Sequence, residues 1–419
     1  MRSLGLATVF AGLAGFVILY VATWALEVEQ ADEFQAYWGL FFAATGLLDG
    51  LMQETARGVS STKGTGRIQG GRPWLLGIWV GGATLVIAAG IGLLWMPTLM
   101  SHSGDGGIAT AFFAFGLMSY AFQAVLSGVL SGLKMWRQYS WLIALDSGIR
   151  LLLALVAWQL GWGMPAFLLI TIIGALSWLV ILGMSPQVRA RLHAPVDVSP
   201  GVLARRAGSA MLATGASAVL ITGFPAFVKL APGPDISTTV TVAGIINAVM
   251  LTRAPILVPL QRFQSALIVR FVDNREHILG ALARPILAVL GLGLAGGAAA
   301  WLMGPWILAT FFKPGYEVPG VILAALTFAS ACTGCLMITG TATLALEQHR
   351  WYVLGWVAAS VMAFTALWVL PFPLEIRVGL SLIAGPVVGG LLHAMVLSTI
   401  SRTKRLHYPR TPATHHSEV

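Results

Sequence analysis

The chain has 419 residues, of which 57% are hydrophobic and only 10% charged, and its mean hydropathy is +0.82. Soluble globular proteins keep their surfaces wet with roughly 25% charged residues, so a soluble enzyme, a disordered chain and a small disulfide-held scaffold are excluded. The net charge of +9 does not point to nucleic acid, because no basic run reaches the roughly five to eight residues of such a patch.

A helix needs about 20 mostly apolar residues to cross a bilayer, and on that measure the sequence predicts twelve spans. The first, 4–26, follows Arg2, and its apolar run exceeds the roughly 7–15 residues of a signal-peptide core, so it is read as a retained helix. A short acidic connection with Glu27, Glu29, Asp32 and Glu33 leads to the second, 36–58. Four more follow at 73–96, 108–132, 139–160 and 164–184. A polar connection at 185–206, containing Pro186, Pro195 and Pro200, then separates six helices from six. The second set spans 207–229, 237–260, 281–304, 319–341, 350–371 and 377–400, and a polar tail occupies 402–419. The expected organisation is an N-terminal six-helix lobe at 1–184, a cytoplasmic linker at 185–206 and a C-terminal lobe at 207–401.

Charge fixes the orientation. Most of the 25 Lys and Arg fall on alternate connections and on the two ends of the chain, among them Lys63, Arg67, Arg72, Lys134, Arg137, Arg189, Arg191, Arg262, Arg270 and Arg350. The opposite connections hold few bases, Lys229, Lys313 and Arg377, together with acids such as Asp105, Asp235, Glu317 and Glu375. By the positive-inside rule both termini are cytoplasmic. A miscounted helix would scramble this alternation.

Ionisable side chains inside spans cost several kcal/mol, on the order of 2.5–3.5 on insertion scales, which makes each a candidate site. Along LLDGLMQETARG in the second span, Asp49, Gln53 and Arg57 form an i, i+4, i+8 stripe with Glu54 on its flank. The stripe reads either as a cavity wall, with a carboxylate for a proton or coupling cation, or as helix packing with a Glu54–Arg57 pair near the headgroups. In the fifth span, Asp146 and Arg150 stand one turn apart. They form either a self-neutralising pair or an arrangement in which Asp146 aims Arg150 at a phosphate, which guanidinium grips bidentately. In the eighth span Arg253 has no acid nearby in sequence and is the leading phosphate-binding candidate, with Pro255 and Pro259 expected to interrupt the helix. Pro225, Pro285 and Pro386 are kink candidates, Pro285 the weakest because it falls in the first turn of its expected span. His393 in the last span suits a hydrogen-bonded core position better than a titrating one.

Cys332 and Cys335 form a CxxC within an apolar run that has no second pair for zinc, and they read as packing residues. No phosphate loop, HExxH motif or other metal cluster occurs, so neither a cofactor nor a metal is expected. A membrane glycosyltransferase would place catalytic acids in its first external loop, but here that loop is short and no large external domain follows.

The six-plus-six layout with short loops resembles the multidrug/oligosaccharidyl-lipid/polysaccharide (MOP) flippase superfamily, and within it the Wzx-like polysaccharide-transporter branch. YWGLFFAATGLLDGLMQETARGV at 37–59 looks like that branch's second helix, and the Asp146–Arg150 helix and PILVPLQRFQSALIV at 255–269 look like its fifth and eighth. A major-facilitator transporter shares the layout, but its loop signature is not matched after Asp49, where Gly-Leu-Met follows. The resemblance implies an all-α, MATE/Wzx-like fold of two lobes around a cavity that opens alternately to each side. It implies a polyprenyl-diphosphate-linked glycan moved from the inner to the outer leaflet of a bacterial cytoplasmic membrane. Arg253, Arg150, Arg57 and Gln53 would then bind substrate, while Asp49, Glu54 and Asp146 would take a coupling proton or cation. Membrane lipids and glycan-assembly enzymes would be its partners. A cation-coupled drug exporter of the same superfamily is the alternative, and a membrane transferase is a more distant one.

Overall fold

The computed structural model describes residues 2–65, 68–231 and 240–407. Arg67, Asp235 and most of the expected polar tail lie outside the described residues, as do the side chains of Arg2, Lys63, Arg262, Arg402, Lys404 and Arg405.

The described residues are helical almost throughout. The N-terminal half comprises α1 (Arg2–Ala25), α2 (Val28–Thr65), α3 (Pro73–Leu99), α4 (Gly106–Gly132), α5 (Trp136–Gln159), α6 (Met164–Ile173) and α7 (Ser177–Met184). The connecting segment carries α8 (Pro186–Arg191). The C-terminal half comprises α9 (Pro200–Ile221), α10 (Phe224–Lys229), α11 (Val242–Asp273), α12 (Ile278–Phe311), α13 (Gly320–Ala345), α14 (His349–Val369) and α15 (Leu374–His407). The sixth span is α6 and α7 joined by a 3-10 turn at Gly174–Leu176, and the seventh is α9 followed, after a break, by α10. Twelve spans result, in two lobes.

Each half packs in the same way. In the first, α3 lies on α4, α2 on α4, α1 on α5, and the sixth span touches α4 and α5. In the second, α12 lies on α13, α11 on α13, α9 on α14, and α15 touches α13 and α14. The central helix of each lobe, α4 or α13, is rich in Gly, Ala, Ser and Thr and is largely buried. Small side chains allow the close backbone approach that replaces the hydrophobic effect as the packing force in lipid.

Ten of the spans are long and apolar enough to cross a bilayer by composition alone. The two that fall short are α2 and α9, and these pack against each other between the lobes. The polarity of α2 follows from that position, because α2 is largely covered by protein and such a helix does not need a lipid-compatible surface, whereas α9 carries its exposed Arg205 and Arg206 near its start.

Several expectations require correction. Glu29, Asp32 and Glu33 belong to the first turns of α2 rather than to an external loop. Arg205 and Arg206 lie on α9, which starts at Pro200, so the connection between halves is shorter than 185–206. Arg270 likewise lies on a helix, since α11 runs to Asp273, and α12 begins at Ile278, which puts Pro285 two turns inside it rather than in its first turn. In each case the apolar window marks the hydrocarbon-spanning part, while the helix continues into the interface. Pro255 and Pro259 do not break α11, which is helical through both. Neighbouring protein can satisfy carbonyls freed by proline inside a bundle.

Candidate functional site

The seventh span breaks at Thr222 and Gly223, and the chemistry of Pro225 accounts for it. In a continuous helix the Ile221 carbonyl would accept from the N–H four residues on, but Pro225 has none. Arg253, from the middle of α11, fills the gap: its Nη1 donates to the Ile221 carbonyl at 2.6 Å and reaches the Leu220 carbonyl at 3.4 Å. The guanidinium lies over the Phe224 ring, 5.4 Å from its centroid. Arg253 is only 7% exposed and its Nη2 has no hydrogen-bond partner. Among the described residues no carboxylate pairs with it.

Arg253 forms one wall of a cavity of about 240 Å³ between the lobes. Phe16 of α1 and Trp38 and Phe42 of α2 face it from the first lobe, with Thr222 and Met250 from the second. Among the described residues no acidic side chain lines the space. A cavity with one buried cation, aromatic walls and no carboxylate suits an anionic group with an apolar neighbour.

The other candidate residues lie apart from this cavity. Arg150 is buried in the first lobe, where it donates to Asp146 at 3.0 Å and to the Thr171 carbonyl at 3.0 Å. Its second nitrogen also stands 3.0 Å from Asp146, a charge contact whose angles fall short of a hydrogen bond. Arg150 sits over the Phe42 ring, 5.1 Å from its centroid. Phe42 and Arg253 both line the cavity, whereas Arg150 does not line it and touches its wall through Phe42.

Asp49 points into its own lobe, where Tyr120 of α4 donates to it at 2.8 Å. Gln53 is exposed. Arg57 forks onto the buried Glu54 at 2.7 and 2.8 Å and extends to Asp197 of the connecting segment at 3.3 and 3.4 Å. Burial opposes ionisation of Asp197, but the Ser61 hydroxyl and the Arg57 guanidinium outweigh it and hold the carboxyl below its usual range. The stripe of the second span thus divides into an inward-facing Asp49 and a clamp at the cytoplasmic end. His393 is fully buried, within 3.2 Å of both the Thr339 hydroxyl and the Tyr352 carbonyl.

Sequence reasoning missed the outer closure. Lys229, the last residue of α10, donates to Asp32 of α2 at 2.7 Å, and both are largely buried. Nearby, Lys313 donates to the Trp24 and Leu26 carbonyls, while Tyr20 and Trp24 donate to the Phe311 carbonyl at 3.0 and 3.1 Å. All of these bonds join the first lobe to the second at the acidic, outer end. Asp32 and Lys229 are 197 residues apart, and the only sequence signal was that both lie on the same side of the membrane. Tyr120 and Phe42 gave no signal, since each reads as an ordinary aromatic of an apolar helix.

This arrangement is the fold of MATE transporters. The chain superimposes on a multidrug-resistance MATE transporter in its inward-facing conformation with a TM-score of 0.72, covering 94% of this chain and 96% of that one at 15% identity. Against an outward-facing conformation of such a transporter the score is 0.62. A MOP superfamily transporter from Pyrococcus furiosus, described as having a binding pocket of reversed polarity, gives 0.66 at 15% identity over 95% of both chains. At such identities the likeness defines the fold.

No family model matches the sequence. The chain is 38% identical over 401 residues to Rv1510 of Mycobacterium tuberculosis, spanning 94% of this chain and 90% of the relative. It is 35% identical over 399 residues to Mb3654 of Mycobacterium bovis, spanning 94% and 91%. It belongs to the family of these mycobacterial proteins, each described as an uncharacterized protein. It is a multi-pass membrane protein.

Proposed function

We propose that the protein is an alternating-access flippase of the bacterial cytoplasmic membrane. It moves a polyprenyl-diphosphate-linked oligosaccharide from the inner to the outer leaflet for cell-envelope polysaccharide assembly. The observation that carries this reading is Arg253, a buried cation with a partner-free Nη2, in the wall of an interlobe cavity that among the described residues is lined by aromatics and no acid. Arg binds phosphate through paired donors, and a cationic drug would meet a fixed positive charge there with no carboxylate among the described lining residues to offset it. The cavity is smaller than the roughly 300–1,000 Å³ typical of complete ligand sites, so in this closed form it fits a headgroup and not a whole glycan. In this reading the lobes comprise 1–184 and 207–401, and Asp49 is the candidate for a coupling proton or cation. Glu54 and Arg57 brace the cytoplasmic end, and Asp146 and Arg150 stiffen the wall behind Phe42.

The test is leaflet translocation of a short-chain polyprenyl-diphosphate oligosaccharide in proteoliposomes. Wild type is expected to accelerate flipping, Arg253→Ala to lose most of the acceleration, and Arg150→Ala to lose less. Absence of flipping, together with proton-dependent efflux of cationic dyes, would replace this reading with the drug-exporter one.

A further inference from the structure

We propose that Arg253 is also the strut that holds the outer side closed, and that Pro225 makes it so by leaving the Ile221 carbonyl without a helical donor. A bound anion then competes with that carbonyl for the guanidinium, and this exchange releases α10. The second half of the proposal rests on the anion reading given above; the first half does not.

The geometry points to this through a short chain of contacts. Arg253 Nη1 holds the Ile221 carbonyl at 2.6 Å, one residue before the break. On the other side of the break, α10 is a six-residue bar that ends at Lys229. Lys229 is fastened to Asp32 of the opposite lobe at 2.7 Å. The residue before the break and the far end of α10 are thus each held by a cation, one at the cavity wall and one near the outer end. On the lobe-facing side, the α2 backbone at Gly39 abuts the Thr222 carbonyl and the Pro225 ring, so the break is also where the lobes touch.

An end-on bidentate grip on a phosphate takes Nη1 and Nη2, and Nη2 is free of partners among the described residues while Nη1 holds Ile221. An anion gripped end-on draws Nη1 away from Ile221. Both acceptors take a charge-assisted bond from the guanidinium, but only the phosphate adds ion–ion attraction to it, so the exchange runs toward the anion. The Ile221 carbonyl is then a buried acceptor without a donor, a state that the 222–224 turn relieves by rearranging. Movement of that turn swings α10 and strains the Lys229–Asp32 pair. Cavity occupancy and outer opening become linked through one side chain.

The experiment reads the distance between nitroxide labels on cysteines replacing Gly107, at the outer end of α4, and Phe372, in the outer α14–α15 connection. Cys332 and Cys335 are replaced by Ala, and the full chain is studied in lipid nanodiscs. Without ligand, Arg253→Met, which has no donor, should raise the long-distance, outer-open population severalfold. Adding Pro225→Ala to that variant should restore the wild-type distribution, because residue 225 then supplies the missing N–H. An unchanged distribution in Arg253→Met, or no restoration in the double variant, overturns the strut. Arg253→Lys, which keeps a donor for the carbonyl, should stay closed and guards against a folding defect.

Geranylgeranyl diphosphate then serves as the ligand probe, with geranylgeraniol as its uncharged control. Wild type should open on the diphosphate and not on the alcohol. Pro225→Ala should bind the diphosphate at least as tightly yet fail to open, since its carbonyl no longer needs Arg253. Equal opening in Pro225→Ala and wild type overturns the exchange. If wild type does not bind the diphosphate, the anion reading and the exchange fall together, while the ligand-free variants still decide the strut.

Discussion

Gly174 lies directly against the Asp146–Arg150 pair: a Cβ at this position would collide with the Asp146 carboxylate and with the guanidinium. The 3-10 turn that starts at Gly174 and the ion pair on α5 therefore occupy one another's space, and neither forms in this shape without the other. Gly174→Ala is expected to lower stability by about 1–3 kcal/mol, the usual range for overpacking. The check is a thermal unfolding curve of the purified protein in detergent.

Asp146→Asn is expected to cost more, about 3–5 kcal/mol, because it leaves the Arg150 guanidinium buried without its counter-charge. Replacing both partners, Asp146→Leu with Arg150→Met, should recover most of that loss, since apolar replacements of a buried pair are often close to neutral. Translocation assays on the recovered double variant then report what the pair does beyond stability. Flipping near the wild-type rate would confirm that the pair only supports the Phe42 wall, and loss of flipping would show that charge at this position takes part.

Tyr120 is the sole hydrogen-bond donor shown for Asp49, at 2.8 Å across α2 and α4. Tyr120→Phe is expected to change the dependence of transport on the proton or sodium gradient, with little effect on binding of a diphosphate at Arg253. Asp49→Asn should abolish that gradient dependence. Transport measured with imposed gradients, beside equilibrium binding of geranylgeranyl diphosphate, separates the two functions. Equal loss of both would place Asp49 in the anion site instead.

Gly39→Val should force α2 away from the break in the seventh span, because its side chain would meet the Thr222 carbonyl and the Pro225 ring. Wedging the lobes apart there is expected to reduce flipping at least tenfold, while the first lobe keeps its fold. Gly46 also approaches α9, at the Ala218 side chain, and Gly46→Val tests whether any wedge on this interface has the same effect. A loss specific to Gly39→Val would identify the break, and not the interface in general, as the sensitive point.

The clamp at the cytoplasmic end has a pH sign that follows from Asp197. Its folded-state pKa is depressed, so its stabilising effect is present above the ordinary carboxylate value and is lost as pH falls through the folded value. Pepsin cleavage within 192–199 should therefore accelerate as pH drops below about 4. Asp197→Asn should cleave faster than wild type at pH 5, and wild type and variant should converge as pH falls through the depressed folded value. The effect is a few-fold, because Arg57 is substantially exposed and solvent screens the pair.

The sequence alone determined the transmembrane count, the division into six and six, and the charge asymmetry. These depend on composition over windows of about 20 residues, and the bilayer imposes that length on every helix. It also identified Arg253 as a cation without a local acid and Asp146–Arg150 as a pair, because partners one turn apart on a helix are visible in the chain. Tertiary structure alone decided which charges share a space. Asp49, Gln53 and Arg57 sit on one stripe of α2, yet Asp49 turns to Tyr120, Gln53 lies exposed and Arg57 reaches Asp197. Helical spacing gives the angle between side chains but not the rotation of the helix against its neighbours. That rotation is set by contacts between residues far apart in sequence, such as Arg150 on Phe42, or Lys229 on Asp32. The seventh-span break shows the same division: Pro225 was visible as a kink, but the arginine that fills the vacancy comes from another helix, and only packing brings the two together.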